Sequence, residues 1–498
     1  MNILQIVSDQ HIARCLGSAG HPQVLTPHLD RLAREGVRFT DAYTQNPICT
    51  PSRVSLLSGQ YCHNHGFYGL SGPSPIHLPS LLSHFRAHGY RTAGIGKLHM
   101  PNLPRDWIYP HCDLYAECYE YGPTAEKSPY YASLEALGLR EKEDSILLPE
   151  FPGSHHHDAR PSLLPYEHSV EGWSVAQAIR FMEECGSRPF CMQVSFPRPH
   201  QAFTPDRQFW DMYPENLATP PTLHQDPSGR PPHFQEMYQW YHGTPGLIEP
   251  RDFESWSRRV WRGYLACITQ VDHSVGLLLG FLDRSGRASD TLVVYQTDHG
   301  GYHGVHGLPE KAPGICSDSV CRVPMIWRVP GIPPGVCRQL AENIDMVSTV
   351  TTLCGVPALE TTDGKDLTPL LRGSDRPVRE VAVTENPWSK SIRWDQWRYV
   401  HYPPPVFGRE TGELYDVEKD PDENRNLFED HPGEVREGRK RLLNWLIQTT
   451  RVKTIWPTLT NDDWDRPQYR TAADGTLANG HGPAEQANHP EMWMKNYL

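Results

Sequence analysis

Residues 291–299, Thr-Leu-Val-Val-Tyr-Gln-Thr-Asp-His, form a short apolar run that ends in the polar pair Asp298-His299. Residues 3–10, Ile-Leu-Gln-Ile-Val-Ser-Asp-Gln, have the same form and end in Asp9-Gln10. The length and the β-branched residues of both runs favour buried strands with polar tips. Each run belongs to a repeated alternation of strands and helices.

This alternation continues through most of the chain. The predicted strands cover residues 3–7, 37–43, 90–95, 190–196 and 291–296, and the predicted helices cover residues 26–35, 52–57, 79–88, 174–185 and 260–284. Repeated strand–helix–strand order predicts an α/β fold with a mostly parallel central sheet and helices on both faces. Ligands bind such sheets beyond the carboxyl ends of the strands, so the polar tips are the expected site.

The sequence pattern changes after about Leu371. Short antiparallel strands are predicted over residues 381–384, 391–393, 397–401 and 413–415, followed by an amphipathic helix over residues 434–448. The chain is therefore divided into a catalytic domain over 1–371, a smaller C-terminal α+β subdomain over 372–460, and an extended tail over 461–498. Trp464, Trp493 and Tyr497 in the tail indicate subunit contacts in a homo-oligomer, with packing on the same chain as an equal alternative.

The composition excludes several classes of function. The net charge of −12 is spread along the 498 residues, and this acidity argues against nucleic-acid binding. No stretch approaches the roughly 20 apolar residues that cross a bilayer, and the N-terminus lacks the features of a signal peptide. The 12 cysteines are scattered rather than regularly spaced, so most are expected to be reduced thiols of a cytoplasmic protein.

The two polar strand tips together suit a metal ion. Oxygens of Asp9, Gln10 and Asp298, with a nitrogen of His299, are ligands compatible with Ca²⁺, Mg²⁺ or Mn²⁺. Each pair alone is more simply interpreted as a strand-end cap or turn. Two such pairs at the tips of neighbouring parallel strands favour a metal site.

A third element is Cys49-Thr50-Pro51-Ser52-Arg53, in a predicted turn just before a helix. A lone cysteine there is more often an inert buried thiol. However, Cys-x-Pro-x-Arg is the pattern at which cysteine is enzymatically oxidised to formylglycine (3-oxoalanine), and the chain resembles the formylglycine-dependent sulfatases of the alkaline-phosphatase-like superfamily. Further matching segments follow in the family's order: Gly96-Lys97-Leu98-His99, Pro199-His200, Thr297-Asp298-His299-Gly300 and Leu414-Tyr415-Asp416.

The resemblance implies hydrolysis of a sulfate ester to an alcohol and inorganic sulfate. Cys49, converted by a formylglycine-generating enzyme, would supply a hydrated aldehyde that is both the nucleophile and a metal ligand. One hydroxyl attacks sulfur, and deprotonation of the second releases sulfate, whereas the sulfate ester of an ordinary serine would persist. The implied metal is Ca²⁺, with Mn²⁺ or Mg²⁺ as alternatives.

The remaining roles are also implied by the resemblance. Arg53 would orient the hydrate, and His99 would act as a base in sulfate release. Lys97 and Lys311 would bind sulfate oxygens, and His200 would contact the substrate and protonate, or hydrogen-bond to, the leaving oxygen. Taken singly, either lysine is more simply a solvated surface charge.

Alternatives remain open from sequence. A phosphonate monoester or phosphodiester hydrolase has the same scaffold and metal pairs. However, the proteins of that branch have a Tyr/Thr-rich segment where this chain has Lys97-Leu98-His99. That branch also has an asparagine where this chain has Gly69-Leu70. An inactive binding protein would lack one of the site residues, and none is missing.

Carbohydrate, choline and aryl sulfates all remain candidate substrates. The aromatic residues Tyr238, Trp240 and Tyr241 fit a substrate wall or a core cluster equally.

Overall fold

The strands predicted at residues 3–7 and 291–296 lie side by side at the centre of a large sheet. The computed structural model describes residues 1–70, 78–100, 112–119, 128–144, 159–243, 253–311, 315–408 and 410–451. Within these residues the sheet strands are β1 Asn2–Ser8, β2 Val37–Tyr43, β3 Arg91–Gly96, β4 Leu114–Glu117, β5 Phe190–Phe196, β6 Thr291–Thr297, β7 Arg322–Arg328, β8 Gly335–Cys337 and β9 Ala341–Glu342.

The strand order is β4-β3-β5-β1-β6-β7-β2-β8, with β9 also beside β2. Neighbouring strands run parallel, except that β7 is antiparallel to both β6 and β2. The predicted mostly parallel sheet is therefore confirmed. Strand β7 was not assigned from sequence, because it follows a loop and a single short turn of helix rather than the strand–helix alternation.

Helices cover both faces of this sheet, as predicted. The helices of the described residues, including those of the C-terminal part, are α1 Pro27–Glu35, α2 Cys49–Ser58, α3 Cys62–His65, α4 Leu81–Ala87, α5 Pro129–Ala136, α6 Arg140–Asp144, α7 Val170–Cys185, α8 Arg207–Trp210, α9 Pro232–Gly243, α10 Phe253–Arg284, α11 Asp318–Cys321, α12 Asp345–Cys354, α13 Thr368–Leu371, α14 Pro404–Phe407 and α15 Pro432–Thr449. On β1, Leu4 and Ile6 pack in the core with α1, α7 and α10, while Ile3 packs with α2, α4 and α12. Burial on both faces explains why β1 is apolar throughout rather than alternating.

The helix after Cys49 begins earlier than predicted. Residue Cys49 is the first residue of α2 rather than part of a preceding turn. The sequence prediction began the helix at Ser52, after Pro51. Proline is tolerated in the first turn because the backbone N–H that it lacks has no partner there.

The C-terminal part forms a separate small sheet. Its strands are β10 Ala382–Glu385, β11 Lys390–Trp394, β12 Trp397–Tyr402 and β13 Thr411–Asp416, paired antiparallel in that order. Helix α15 packs against this sheet, with Trp445 buried against Tyr399 and Ile392. The α+β character is confirmed, whereas the boundaries at 371 and 460 remain predictions and the tail over 461–498 lies outside the described residues.

Among the described residues, α10 has the length and apolar composition of a membrane-spanning helix. The sequence prediction concerned uninterrupted runs of about 20 apolar residues, whereas α10 reaches this composition only as an average over an 18-residue window. However, 72% of the apolar window is buried inside the protein. Helix α10 is thus a core helix that packs against α7 and α1.

Candidate active site

The pairing of β1 with β6 brings the two polar strand tips together. Ser8 lies opposite Thr297 in the register, so Asp9 and Asp298 emerge side by side, and both are fully buried. The Nε2 atom of His299 is 3.9 Å from Asp9 Oδ1 and 3.8 Å from Asp298 Oδ2. Two carboxylates and an imidazole therefore converge beyond the carboxyl ends of neighbouring strands.

Cys49 at the start of α2 completes this cluster. Its Sγ atom is 3.2 Å from His299 Nε2 and 3.8 Å from Asp9 Oδ1. One ligand atom from each of Asp9, Cys49, Asp298 and His299 lies within 4.8 Å of the others. The thiol and the strand tips, which are distant in sequence, thus form one buried group.

Gln10 supplies the test of whether a cation fits. Its backbone has a positive φ of 66° and is held by bonds from Gln10 N to Asp298 Oδ1 (3.3 Å) and from Tyr264 Oη to Gln10 O (2.9 Å). Its buried side-chain Oε1 and Nε2 have no hydrogen-bond partner among the described residues. Because buried polar atoms are rarely left unsatisfied, this amide beside two carboxylates fits a divalent cation.

In its neutral form the ring of His299 is held in one tautomer. Its Nδ1 donates to the carbonyl oxygen of Gly300 at 2.7 Å, since a carbonyl can only accept. The lone pair therefore resides on Nε2, which faces Cys49 and the carboxylates. Such backbone support is typical of a metal-binding histidine.

The guanidinium of Arg53 bridges the two carboxylates of the cluster. Its Nε donates to Asp298 Oδ2 at 2.9 Å, and its Nη2 donates to Asp9 Oδ2 at 3.0 Å. Its Nη1 donates to Ser195 Oγ at 2.8 Å and to the carbonyl oxygen of Lys97. One guanidinium thus holds four groups, namely the carboxylates that follow β1 and β6, a hydroxyl on β5 and a carbonyl in the segment after β3.

Lys97 brings a second buried positive charge to Asp9, with Nζ 2.7 Å from Asp9 Oδ2. Burial alone would raise the pKa of Asp9, but the charges of Lys97, His200, Arg53 and His299 outweigh it and hold that pKa well below its usual value. Asp9 therefore stays ionised, as a metal ligand must be.

His99 lies two residues after Lys97, in a left-handed backbone conformation with a φ of 49°. The carboxylate of Glu117 accepts from the backbone N–H groups of Leu98 (3.0 Å) and His99 (2.9 Å). Burial, together with the charges of Lys97 and Arg53, holds the pKa of His99 well below its usual value. A neutral imidazole of this kind can accept a proton.

His200 and Lys311 form a second pair beside the cluster. The Nδ1 atom of His200 donates to the carbonyl oxygen of Gln201 at 2.5 Å, and its Nε2 is 3.5 Å from Lys311 Nζ. Lys311 is buried although it carries a charge. Both residues therefore occupy places suited to polar contact with an anionic substrate.

The three candidate aromatic residues on α9 belong to a hydrophobic core. Tyr241 is buried in this cluster, and Tyr238 and Trp240 pack against it. Tyr238 also stacks on His242 with ring centroids 4.0 Å apart. The core interpretation is the one that the structure supports.

Sequence analysis did not single out three supporting residues, namely Glu117, Ser195 and Ser52. Glu117 ends β4, Ser195 lies within β5, and Ser52 Oγ donates to the carbonyl oxygen of Asp298 at 2.6 Å. A polar residue near the carboxyl end of a predicted buried strand was the available signal for Ser195, whereas β4, which ends in Glu117, was not assigned from sequence.

Two buried carboxylates and an imidazole beyond the ends of parallel strands, with a thiol at the start of α2, form a donor set that suits a metal-assisted hydrolase. Residues 1–356 match the sulfatase family, and the chain belongs to that family of sulfuric ester hydrolases. Residues 304–450 match the C-terminal region of N-sulphoglucosamine sulphohydrolase.

Individual relatives differ in substrate. The choline-sulfatase of Rhizobium meliloti is 28% identical over 87% of this chain and 83% of its own length. The N-acetylglucosamine-6-O-sulfatase of Bacteroides thetaiotaomicron is 24% identical over 90% of this chain and 86% of its own. The solved phosphonate monoester hydrolase of Agrobacterium radiobacter shares the fold, with a TM-score of 0.74, 22% identity, and coverage of 90% and 96% of the two chains.

Proposed function

We propose that this sulfatase uses formylglycine derived from Cys49 as its nucleophile, with a divalent cation held by Asp9, Gln10, Asp298 and His299. The observation that carries the proposal is the convergence of Asp9, Cys49, Asp298 and His299 ligand atoms within 4.8 Å, in a fully buried cluster. The orphaned amide of Gln10 beside this cluster supports the same assignment.

The ligand set favours a hard cation. Three of the four protein ligands offer oxygen, which suits Ca²⁺ first and Mn²⁺ or Mg²⁺ as alternatives. When bound, the cation would neutralise anionic ester oxygens and favour the ionised nucleophile. The guanidinium of Arg53 and the ammonium of Lys97 would hold Asp9 ionised and in place.

The nucleophile requires chemical maturation of Cys49. Formylglycine hydrate supplies two hydroxyls on one carbon, one for attack on sulfur and one for release of sulfate. Cys49 is 1% exposed and every residue of α2 is buried. The formylglycine-generating enzyme would therefore act before folding is complete.

The side chains around the nucleophile have separate roles in binding sulfate and in transferring protons. Lys97 and Lys311 would bind the sulfate oxygens as charged donors. His99, held neutral by its surroundings, would accept the proton that sulfate release requires. Once Lys311 Nζ binds the sulfate rather than donating to His200 Nε2, that nitrogen would, in the imidazolium form, donate to the leaving oxygen, while Nδ1 stays bonded to the Gln201 carbonyl.

The cysteines support a reducing compartment. All 12 lie among the described residues, where none forms a disulfide, and 11 of them are buried. Proteins of oxidising compartments usually pair such residues in disulfides. We therefore propose a cytoplasmic location.

A substrate screen tests the proposed activity. Protein co-expressed with a formylglycine-generating enzyme is assayed with sulfated sugars, choline sulfate and aryl sulfates, and in parallel with a phosphonate monoester and a phosphodiester. We expect kcat/KM to be highest on a sulfate ester. A higher kcat/KM on the phosphonate or the diester would reject the sulfate assignment in favour of that branch. The relatives make a sulfated carbohydrate and choline sulfate the first esters to assay.

The Gln10→Leu variant tests the metal site without relying on activity. In EDTA its free energy of unfolding should equal or exceed that of the wild type, since leucine removes an unsatisfied buried amide. Calcium at about 100 times the Kd should add about 2.7 kcal/mol to the wild type, and much less to the variant. Urea denaturation with and without calcium measures both effects.

Gln5→Leu is the matched control. Gln5, which lies on β1, is buried like Gln10, but its amide bonds to Gln296 and Gln193 at 3.2 and 3.1 Å. Its replacement should lower stability in EDTA and leave the response to calcium intact. An equal calcium response in Gln10→Leu and wild type would contradict the assignment of Gln10 as a ligand.

A further inference from the structure

Glu310 is a buried carboxylate directly beside Lys311, and no role in the reaction follows from the sequence pattern. It is 1% exposed. The side-chain Nε2 of Gln201 donates to Glu310 Oε2, and the hydroxyl of Tyr241 donates to Glu310 Oε1 at 3.3 Å. Glu310 therefore joins three segments, namely the loop after β5, helix α9 and the segment that carries Lys311.

Gln201 connects this carboxylate to His200. Its side chain bonds to Glu310, and its main-chain carbonyl accepts from His200 Nδ1 at 2.5 Å. The carbonyl fixes the ring so that Nε2 points toward Lys311, with the two nitrogens 3.5 Å apart. A shift of Gln201 would therefore rotate or displace the ring nitrogen that faces the substrate.

The remainder of the loop is held independently. Arg198 bonds through its guanidinium to Glu171 and to the carbonyl oxygen of Thr204, the latter at 2.7 Å from Nη2. These contacts anchor the loop on either side of Gln201 without using Glu310. Loss of the Glu310 carboxylate should thus change the position of His200 more than the fold of the loop.

We propose that Glu310 is a positioning residue, which through Gln201 and Tyr241 sets the placement of His200 Nε2 against Lys311 for donation to the leaving oxygen. This inference rests on the proposed role of His200. A positioned group matters most where the leaving alcohol is poor, because an alkoxide needs a proton and an activated phenoxide does not.

The test compares an alkyl sulfate with an activated aryl sulfate. Glu310→Ala should lower kcat on the alkyl ester by about 10- to 100-fold and on the aryl ester by less than about 3-fold. Tyr241→Phe should give a smaller loss of the same kind. Glu310→Gln keeps an oxygen that can accept from Gln201, so it should recover much of the alkyl activity.

The same substitution in a His200→Ala background separates positioning from general damage. His200→Ala alone should lower alkyl turnover by about 10²- to 10⁴-fold. Adding Glu310→Ala should then change the ratio of alkyl to aryl rates no further. An unchanged ratio in Glu310→Ala alone, or an effect of equal size in the His200→Ala background, overturns the proposal.

Glu342→Gln is the matched control for loss of a buried carboxylate. Glu342 is fully buried and accepts from Tyr61 Oη at 2.6 Å, away from the site. Its replacement should lower stability without altering the alkyl-to-aryl ratio, and a change in that ratio as large as the one in Glu310→Ala would overturn the positioning role.

A crystal structure of Glu310→Ala gives a readout that does not depend on catalysis. The distance from His200 Nε2 to Lys311 Nζ should lengthen from 3.5 Å by about 1 Å or more. An unchanged distance overturns the positioning role. If matured wild type has no sulfate ester turnover but the distance changes, the proposed function fails while the structural inference stands.

Discussion

The Cys49→Ala variant is expected to lose sulfate ester hydrolysis down to the background rate while remaining folded. Removal of the nucleophile of a hydrolase costs on the order of 10⁶-fold in kcat, because the other groups of the site cannot replace it. Alanine fits the space of the buried thiol, so the fold should be preserved. Initial rates on an aryl sulfate and a thermal denaturation curve measure the two properties.

Cys49→Ser makes a sharper test of the formylglycine mechanism. A serine hydroxyl can attack sulfur once, but it lacks the second hydroxyl that releases sulfate. We expect a slow release of no more than one equivalent of alcohol, with the protein gaining the mass of one SO₃ group at residue 49. Intact-protein and peptide mass spectrometry follow this adduct.

Cys191→Ala is the control for loss of a buried thiol. Cys191 lies on β5 with its side chain in the hydrophobic core and outside the site. Its replacement should leave kcat unchanged. The mechanism would be contradicted by full turnover in Cys49→Ala, or by active wild-type protein whose Cys49 peptide has the mass of unmodified cysteine rather than the lighter formylglycine.

The strand tips were predictable because their signal is local. A buried parallel strand is a short apolar run, and the polar residue after it lies at the ligand-binding edge whichever strands are neighbours. Asp9 and Asp298 could therefore be placed at the same edge of the sheet before the strand order was known. The order itself, with β1 between β5 and β6, depends on packing between distant segments and was not deduced.

The residues that support the site residues could not be predicted, because their positions also depend on packing between distant segments. Glu117 is recruited by the backbone N–H groups of residues 98 and 99, and Glu310 by Gln201 and Tyr241. Neither glutamate stands in a distinctive sequence pattern, since a single acidic residue is usually on the surface. Only the three-dimensional arrangement shows that each is buried and bonded to a segment bearing a predicted site residue.

Replacement of Arg53 by leucine is expected to destabilise the fold strongly. The guanidinium is 2% exposed and bridges Asp9 and Asp298, so its loss leaves two buried carboxylates facing one another. Removing one partner of a buried ion pair costs about 3–5 kcal/mol. Urea denaturation in EDTA should show a loss of that size in the free energy of unfolding.

Calcium should restore part of this loss. The variant retains Lys97 beside Asp9 but lacks the guanidinium that bridged Asp9 and Asp298, so a divalent cation should stabilise it by more than it stabilises the wild type. Arg53 also belongs to the Cys-x-Pro-x-Arg pattern, and its loss should lower the yield of formylglycine. Activity must therefore be normalised to the fraction of Cys49 peptide that carries the modification.

Arg379→Leu provides the matched comparison. Arg379 is likewise a buried arginine that bridges two carboxylates, Glu342 and Asp345, but it lies away from the strand tips. Its loss should be as destabilising as that of Arg53. Calcium should raise the free energy of unfolding of this variant only by as much as it does in the wild type. If calcium rescues both arginine variants equally, or neither, then the carboxylates that Arg53 bridges are not the ligands of the cation.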